Sequence, residues 1–199
     1  MFCTKLLRRV KMNKPVLIRG GLPVLELEKS LMFFHAYLFG PLQGKLRFYI
    51  SRNIRVGSVI TPSDWEVLAS LLVQDSGLKG TSGTDLKDYE VKSAIDDGAY
   101  EYQYHKETGL QKLNTDMQVG HLFFNHSDYL SNVELRYVHG GTASKEHFSD
   151  WLANFPDPYP QRYRKSIPLK WVKENGVLLL RLKDGEPTFL YDPKAPKSG

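Results

Sequence analysis

Gly83-Thr84-Asp85-Leu86-Lys87-Asp88-Tyr89-Glu90-Val91-Lys92-Ser93-Ala94-Ile95 is the stretch on which the reading of the chain turns. Taken as a hairpin with Lys87-Asp88 as its two-residue turn, it pairs Leu86 with Tyr89. Asp85 then stands directly opposite Glu90, with Cβ atoms about 4.5–5.5 Å apart. The two-residue repeat of a strand brings Lys92 onto the Glu90 face. Leu86, Tyr89, Val91 and Ile95 turn to the other side, where they can be buried.

Like charges directly opposite each other in a hairpin are destabilising, so Asp85 and Glu90 call for a cation or a partner. Mg²⁺ suits such a pair, because it takes few protein carboxylates and fills its other positions with water and substrate phosphate oxygens. A lysine beside a metal-held water orients or deprotonates it, or stabilises negative charge developing at phosphorus. Two acids and a lysine therefore point to phosphodiester hydrolysis. A solvated hairpin face is the plainer reading of the same residues.

Asp85 followed by Glu90-Val91-Lys92 resembles the PD-(D/E)xK motif, found in many type II restriction endonucleases and in the nicking endonuclease of methyl-directed mismatch repair. The resemblance covers roughly residues 61–104. Thr84 stands where the family has proline. Only four residues separate Asp85 from Glu90, a short spacing that is similar to the mismatch-repair branch. The resemblance implies an α/β fold of the restriction-endonuclease kind, a mixed β-sheet flanked by helices. It implies Mg²⁺ held by Asp85, Glu90 and the Val91 carbonyl, with Lys92 assisting the attacking water. Glu66 matches the helical acid that often precedes the motif in these enzymes and reaches the metal; its simpler role is a helix cap.

With 199 residues, 41% apolar and 12% aromatic, the chain is long enough for one domain with a sizeable core. Residues 15–199 are read as a single nuclease domain, with 61–125 as its catalytic core and 161–191 as a C-terminal β-meander, after a flexible stretch at 1–14 in which Met12 is an alternative start. The single cysteine, Cys3, excludes an internal disulfide and a cysteine-cluster zinc site. No apolar run approaches the length of a membrane span, and the opening segment lacks a secretory core. A soluble cytoplasmic protein is expected.

A net charge of +5 fits a polyanionic partner. Basic residues concentrate at Lys5, Arg8, Arg9, Lys11, Lys14 and Arg19, and again at Arg162, Arg164 and Lys165. Both clusters are placed to flank a groove for double-stranded DNA, and simple solubilising charge explains either one taken alone.

Taken in order, residues 15–19 read as a short strand and 22–38 as a helix with Leu27, Leu31, Phe34 and Leu38 on its buried stripe. Residues 46–50 and 54–60 read as paired strands. A helix then starts at Thr61 or Ser63, with Asp64 and Glu66 in capping-box positions and Trp65, Leu68, Ala69 and Leu72 buried. The glycine-containing loop 77–83 lacks the ending of a phosphate-cradling loop.

Residues 99–105 alternate as a strand, with Tyr100, Tyr102 and Tyr104 on one face. Glu101, Gln103 and His105 are expected to continue the Glu90 and Lys92 face, which makes Gln103 and His105, with Lys106 beside them, candidates for DNA contact. A short helix after Gly109 presents Gln111 and Lys112 as further contacts. Strands are expected at 122–124, 133–138, 167–172, 177–182 and 188–191, and a helix capped by Ser144. The resemblance implies a Mg²⁺-dependent endonuclease, most specifically a type II restriction enzyme acting as a homodimer on a palindromic site. The rivals are a repair nicking endonuclease of the same superfamily and a non-catalytic nucleic-acid-binding module built on the basic ends and the tyrosine strand.

Overall fold

The computed structural model describes residues 22–54, 60–77, 83–127, 129–156 and 161–192. The expected flexible start, the strand at 15–19, the first basic cluster and most of the glycine loop lie outside them.

Leu38, Leu42 and Leu46 recur every four residues and are all buried. That spacing stacks them on one helical face. The chain accordingly forms α1 (Glu28–Phe33), a π-helical turn (Phe34–Phe39) and α2 (Gly40–Ser51) without a break. This corrects two expectations. The first helix starts at Glu28, with Glu26 Oε1 accepting the Glu28 N–H at 3.1 Å. The strand expected at 46–50 is helix, because its local alternation is overruled by the leucine stripe running in from upstream, and Phe48 and Ile50 end up exposed.

Helix α3 (Pro62–Val73) starts as expected, with Pro62 in its first turn and Thr61 at its N-cap. Trp65, Leu68, Ala69 and Leu72 form its buried face. Trp65 packs in a tilted arrangement against Phe124 and stacks on His126, with ring centroids 4.9 and 4.7 Å away.

The strands are β1 (Tyr89–Ile95), β2 (Tyr100–His105), β3 (Gly120–His126), β4 (Asn132–His139), β5 (Arg162–Ile167), β6 (Val177–Lys183) and β7 (Glu186–Leu190). Five of them make a mixed sheet in the order β1-β3-β4-β6-β7, with β1 parallel to β3 and the other pairs antiparallel. A parallel neighbour requires a crossover. Here it contains β2 and α4 (Gly109–Asp116).

Alternation along the strands gives the sheet two apolar faces. Val91, Leu122, Phe124, Val133, Leu135, Leu180 and Leu182 pack against α1, α2 and α3. Ala94, Phe123 and Val138 face the tyrosines of β2, Leu113 of α4 and the segment formed by α5 (Gly140–Ala143), a π-helical turn (Ser144–Phe148) and α6 (Ser149–Ala153). His139 caps that segment by accepting the Gly141 N–H at 3.0 Å, so Ser144 lies inside it and is not its cap. Gly140 sits so close to α4 that a Cβ there would lie 2.5 Å from the Asp116 carbonyl oxygen. Among the described residues no helix is long and apolar enough to cross a membrane.

Three more expectations change. The Leu86 N–H donates to the Tyr89 carbonyl at 2.9 Å, which closes the turn, but no hairpin ladder follows: Leu86 bridges to Gly77 and β1 takes β3 as its neighbour. Strand β2 pairs with β5 in a separate two-stranded sheet, so its polar row does not extend the Glu90 face. The terminal meander reduces to the β6–β7 hairpin. Pro168 stops β5 and starts α7 (Leu169–Asn175), which buries Leu169, Trp171 and Val172.

Candidate active site

The parallel register places Glu90 beside His121 and Lys92 beside Phe123. These side chains share the sheet face that looks toward β2 and α4. Glu90 is 0% exposed. A carboxylate so deeply buried persists as an ion only with close partners. Two ammonium groups supply them: Lys92 Nζ donates to Glu90 Oε1 at 2.5 Å, and Lys112 Nζ of α4 donates to the same oxygen at 2.7 Å. The Asp85 N–H reaches Oε2 at 3.3 Å. Burial works to raise the Glu90 pKa, but Lys92 and Lys112 outweigh it and hold the carboxyl down at about 2.

Asp85 lies just before β1. Its Oδ2 accepts the Val91 N–H at 2.9 Å and stands 3.9 Å from Lys92 Nζ. Asp85, Glu90 and Lys92 therefore meet, as the sequence suggests, although a side-chain-to-backbone bond replaces the expected cross-strand pairing. Burial first, and the Glu90 charge second, push the Asp85 carboxyl up. Burial works to lower the Lys92 pKa, yet Glu90 and then Asp85 prevail and push it up to about 12.

Glu66 belongs electrostatically to this group. Its carboxyl is pushed up by burial and then by the Asp85 charge, with Lys92 opposing. The capping role goes to Asp64, whose Oδ2 accepts from the Thr61 N–H at 2.7 Å and the Thr61 hydroxyl at 2.9 Å.

Lys112 was expected on the exposed side of its helix. Its Nζ instead reaches Glu90, Asp116 Oδ1 at 3.3 Å and the Gly83 carbonyl at 3.2 Å. Asp116, Lys112, Glu90, Lys92 and Asp85 thus form a row of alternating charge. Asp116 is fully buried, and its Oδ2 accepts from the Tyr104 hydroxyl at 3.0 Å. Burial and then the charge of Glu90 push its carboxyl up to about 7.

His121 Nε2 lies 2.7 Å from the Asp116 carbonyl oxygen. A carbonyl only accepts, so Nε2 carries the proton and Nδ1 accepts from the Tyr102 hydroxyl at 2.8 Å. Burial pulls the His121 pKa down to about 4, which keeps the ring neutral. The Tyr102 ring in turn lies 5.0 Å from Lys92 Nζ, within cation–π range. The tyrosine face of β2, and not its polar face, covers the charged row.

Asp116, His121, Tyr102 and Tyr104 are the site residues that sequence reasoning missed. The four-residue step from Lys112 to Asp116 was a visible ion-pair signal. His121 gave none, because its place depends on the β1–β3 register.

The remaining candidates for DNA contact stand apart from the charged row. On the outer face of the two-stranded sheet, Gln103 and His105 lie opposite Arg164 and Arg162, and the Gln103 and His105 side chains meet at 3.2 Å. Lys165 falls on the inner-facing row with its Nζ 5.3 Å from the Tyr163 ring. Lys106 and Gln111 are exposed, in the turn after β2 and on α4 respectively.

No protein-family model matches the chain, and no curated protein matches it. Among the described residues no three Asp, Glu, His or Cys side chains are gathered tightly enough to hold an ion by themselves. The donor set nevertheless suits a hard cation that takes few protein oxygens. The Glu90 charge helps to raise the Asp85 carboxyl, and the Asp85 and Glu90 charges help to raise that of Glu66; a divalent ion would relieve this repulsion.

Proposed function

We propose that this chain is a Mg²⁺-dependent endonuclease that hydrolyses phosphodiester bonds of double-stranded DNA, resembling the PD-(D/E)xK superfamily, with a type II restriction enzyme as its most specific form. The observation that carries the reading is the placement of Lys92 Nζ against both Glu90 and Asp85 on one side of β1. Asp85 and Glu90, with the Val91 carbonyl, would hold Mg²⁺. The ion would supply charge neutralisation at the phosphate and make the attacking water more acidic.

Lys92, held protonated by its two carboxylates, acts as a donor and not as a base: it orients the attacking water or stabilises charge developing on the phosphate. Tyr102, fixed by His121, limits where that ammonium group points. Glu66 orients water from the α3 side. Two copies of the chain acting on a palindromic site complete the reading.

A non-catalytic nucleic-acid-binding module is the second reading, favoured by the polar, cationic outer face of β2 and β5. Incubating supercoiled plasmid with the protein in Mg²⁺ and in EDTA separates the two. Cleavage in Mg²⁺ alone, lost in Glu90→Ala with binding retained, supports the nuclease. Full cleavage by Glu90→Ala removes the assignment, and binding without cuts in either buffer selects the second reading.

A further inference from the structure

Glu90 Oε1 accepts from two ammonium groups, and only one of them, Lys92, has a part in the reaction proposed above. A cation ligated by Glu90 must share that carboxylate with both or drive one away, since like charges repel strongly where water is excluded. The carboxylate partners of Lys92 are Glu90 and Asp85, the two proposed metal ligands. Lys112 has other partners in place. Asp116 Oδ1 at 3.3 Å and the Gly83 carbonyl at 3.2 Å already surround its Nζ. Asp116 itself is anchored, through its side chain by the Tyr104 hydroxyl and through its backbone carbonyl by His121.

We propose that Lys112 is a resident counter-ion that a divalent cation displaces from Glu90, and that Asp116 is the acceptor that keeps the displaced ammonium group. The inference rests on the metal-site reading of Asp85 and Glu90. Lys112 pre-assembles the site by fixing Glu90 Oε1 through the contact at 2.7 Å, and it sets the affinity for the ion by competing for that carboxylate oxygen. Asp116 tunes that competition from the far side: the more strongly it holds Lys112, the more freely Glu90 turns to the ion. The two residues therefore act on metal affinity with opposite signs, which a merely structural role does not produce.

The test is binding of Mn²⁺ to the full chain at pH 8 without DNA, followed by the paramagnetic resonance signal of the free ion, with thermal melts to confirm folding. Removing the competing charge in Lys112→Met is expected to tighten binding by about three- to tenfold. Asp116→Asn, which leaves Lys112 with Glu90 as its carboxylate partner, weakens it by about the same factor. Lys112→Arg keeps the charge and stays near the wild-type affinity, and Glu90→Ala abolishes binding.

A folded Lys112→Met protein with unchanged or weaker affinity overturns the inference. If that variant does not fold, unchanged or tighter binding by Asp116→Asn does so. Glu90-dependent binding that ignores Lys112→Met leaves the metal site standing and removes only the role of Lys112. No binding to either wild type or Lys112→Met removes both.

Discussion

Asp85 and Val91 are joined by a hydrogen bond from the Val91 N–H to Asp85 Oδ2 at 2.9 Å, which ties the segment before β1 back onto the strand. The carboxylate therefore has a structural job as well as its proposed ligand role, and two substitutions separate them. Asp85→Asn keeps an acceptor but loses the charge, so plasmid cleavage in Mg²⁺ falls by more than about 10²-fold while urea stability barely moves. Asp85→Ala loses the bond too and costs roughly 1 kcal/mol more in the same denaturation experiment.

Lys92→Met leaves Lys112 as the remaining ammonium group on Glu90 Oε1. Stripping a buried ion of its only partner costs about 3–5 kcal/mol; with Lys112 still in place the expected loss is smaller, about 1–3 kcal/mol. Cleavage is lost while DNA binding, measured by fluorescence anisotropy, is retained. A variant that cuts at the wild-type rate removes Lys92 from the mechanism.

The legible parts of this fold were those written in local chemistry. Thr61, Pro62 and Asp64 announce α3, and the Glu90-Val91-Lys92 alternation places both charges on one face of β1. The illegible parts depended on partners far along the chain. Nothing in residues 99–105 tells β2 to pair with β5 and not with the motif strand, yet that choice reverses which face covers the site. Residues 46–50 carry a strand-like alternation that loses to a leucine repeat beginning before them. Lys112 shows the same limit within the site. Its helix was predictable, but Glu90 as its partner required the β1–β2–α4–β3 crossover.

His121 and Asp116 pull stability in opposite directions with pH. The folded His121 titrates at about 4 against an ordinary 6.5, so the unfolded chain takes up its proton first and stability is lost as pH falls from 6.5 to 4, by about 3 kcal/mol if it acted alone. The folded Asp116 titrates at about 7 against 3.8, so there the native state takes up the proton first and stability is gained as pH falls from 7 toward 3.8. The windows overlap and the two effects offset. Asp116→Asn removes the gain, so its unfolding free energy in urea should fall more steeply between pH 6.5 and 4 than that of the wild type. Glu90, held at about 2, adds its own loss only below about 4.5. Parallel pH curves for wild type and variant would remove this account of the buried pair.

Arg162 and Arg164 lie on the outer face of β5, and the ion pair of Arg164 with Glu101, at 3.8 Å between half-exposed side chains, is too weak to hold it from a phosphate. If both arginines meet the DNA backbone, replacing them with alanine lowers the slope of log affinity against log salt by about two, roughly one for each phosphate no longer neutralised. Anisotropy titrations across a KCl series measure the slope. An unchanged slope excludes this face from the DNA interface, leaving the charged row untouched.

Asp64 and Glu66, both in the first turns of α3, allow the cap to be tested apart from the proposed chemistry. Asp64 Oδ2 accepts both the Thr61 N–H and its hydroxyl, so Asp64→Ala costs roughly 1 kcal/mol of stability and leaves the cleavage rate unchanged. Glu66 takes no part in that cap, and its carboxyl responds to Asp85, Lys92 and Glu90. Glu66→Gln is nearly isosteric and removes one of the mutually repelling charges, so the fold holds or gains slightly while the cleavage rate at saturating Mg²⁺ drops about tenfold or more. The measurement is the paired one, urea denaturation and single-turnover cleavage on both variants. If Asp64→Ala loses the activity and Glu66→Gln keeps it, the helical acid of this site has been assigned to the wrong residue.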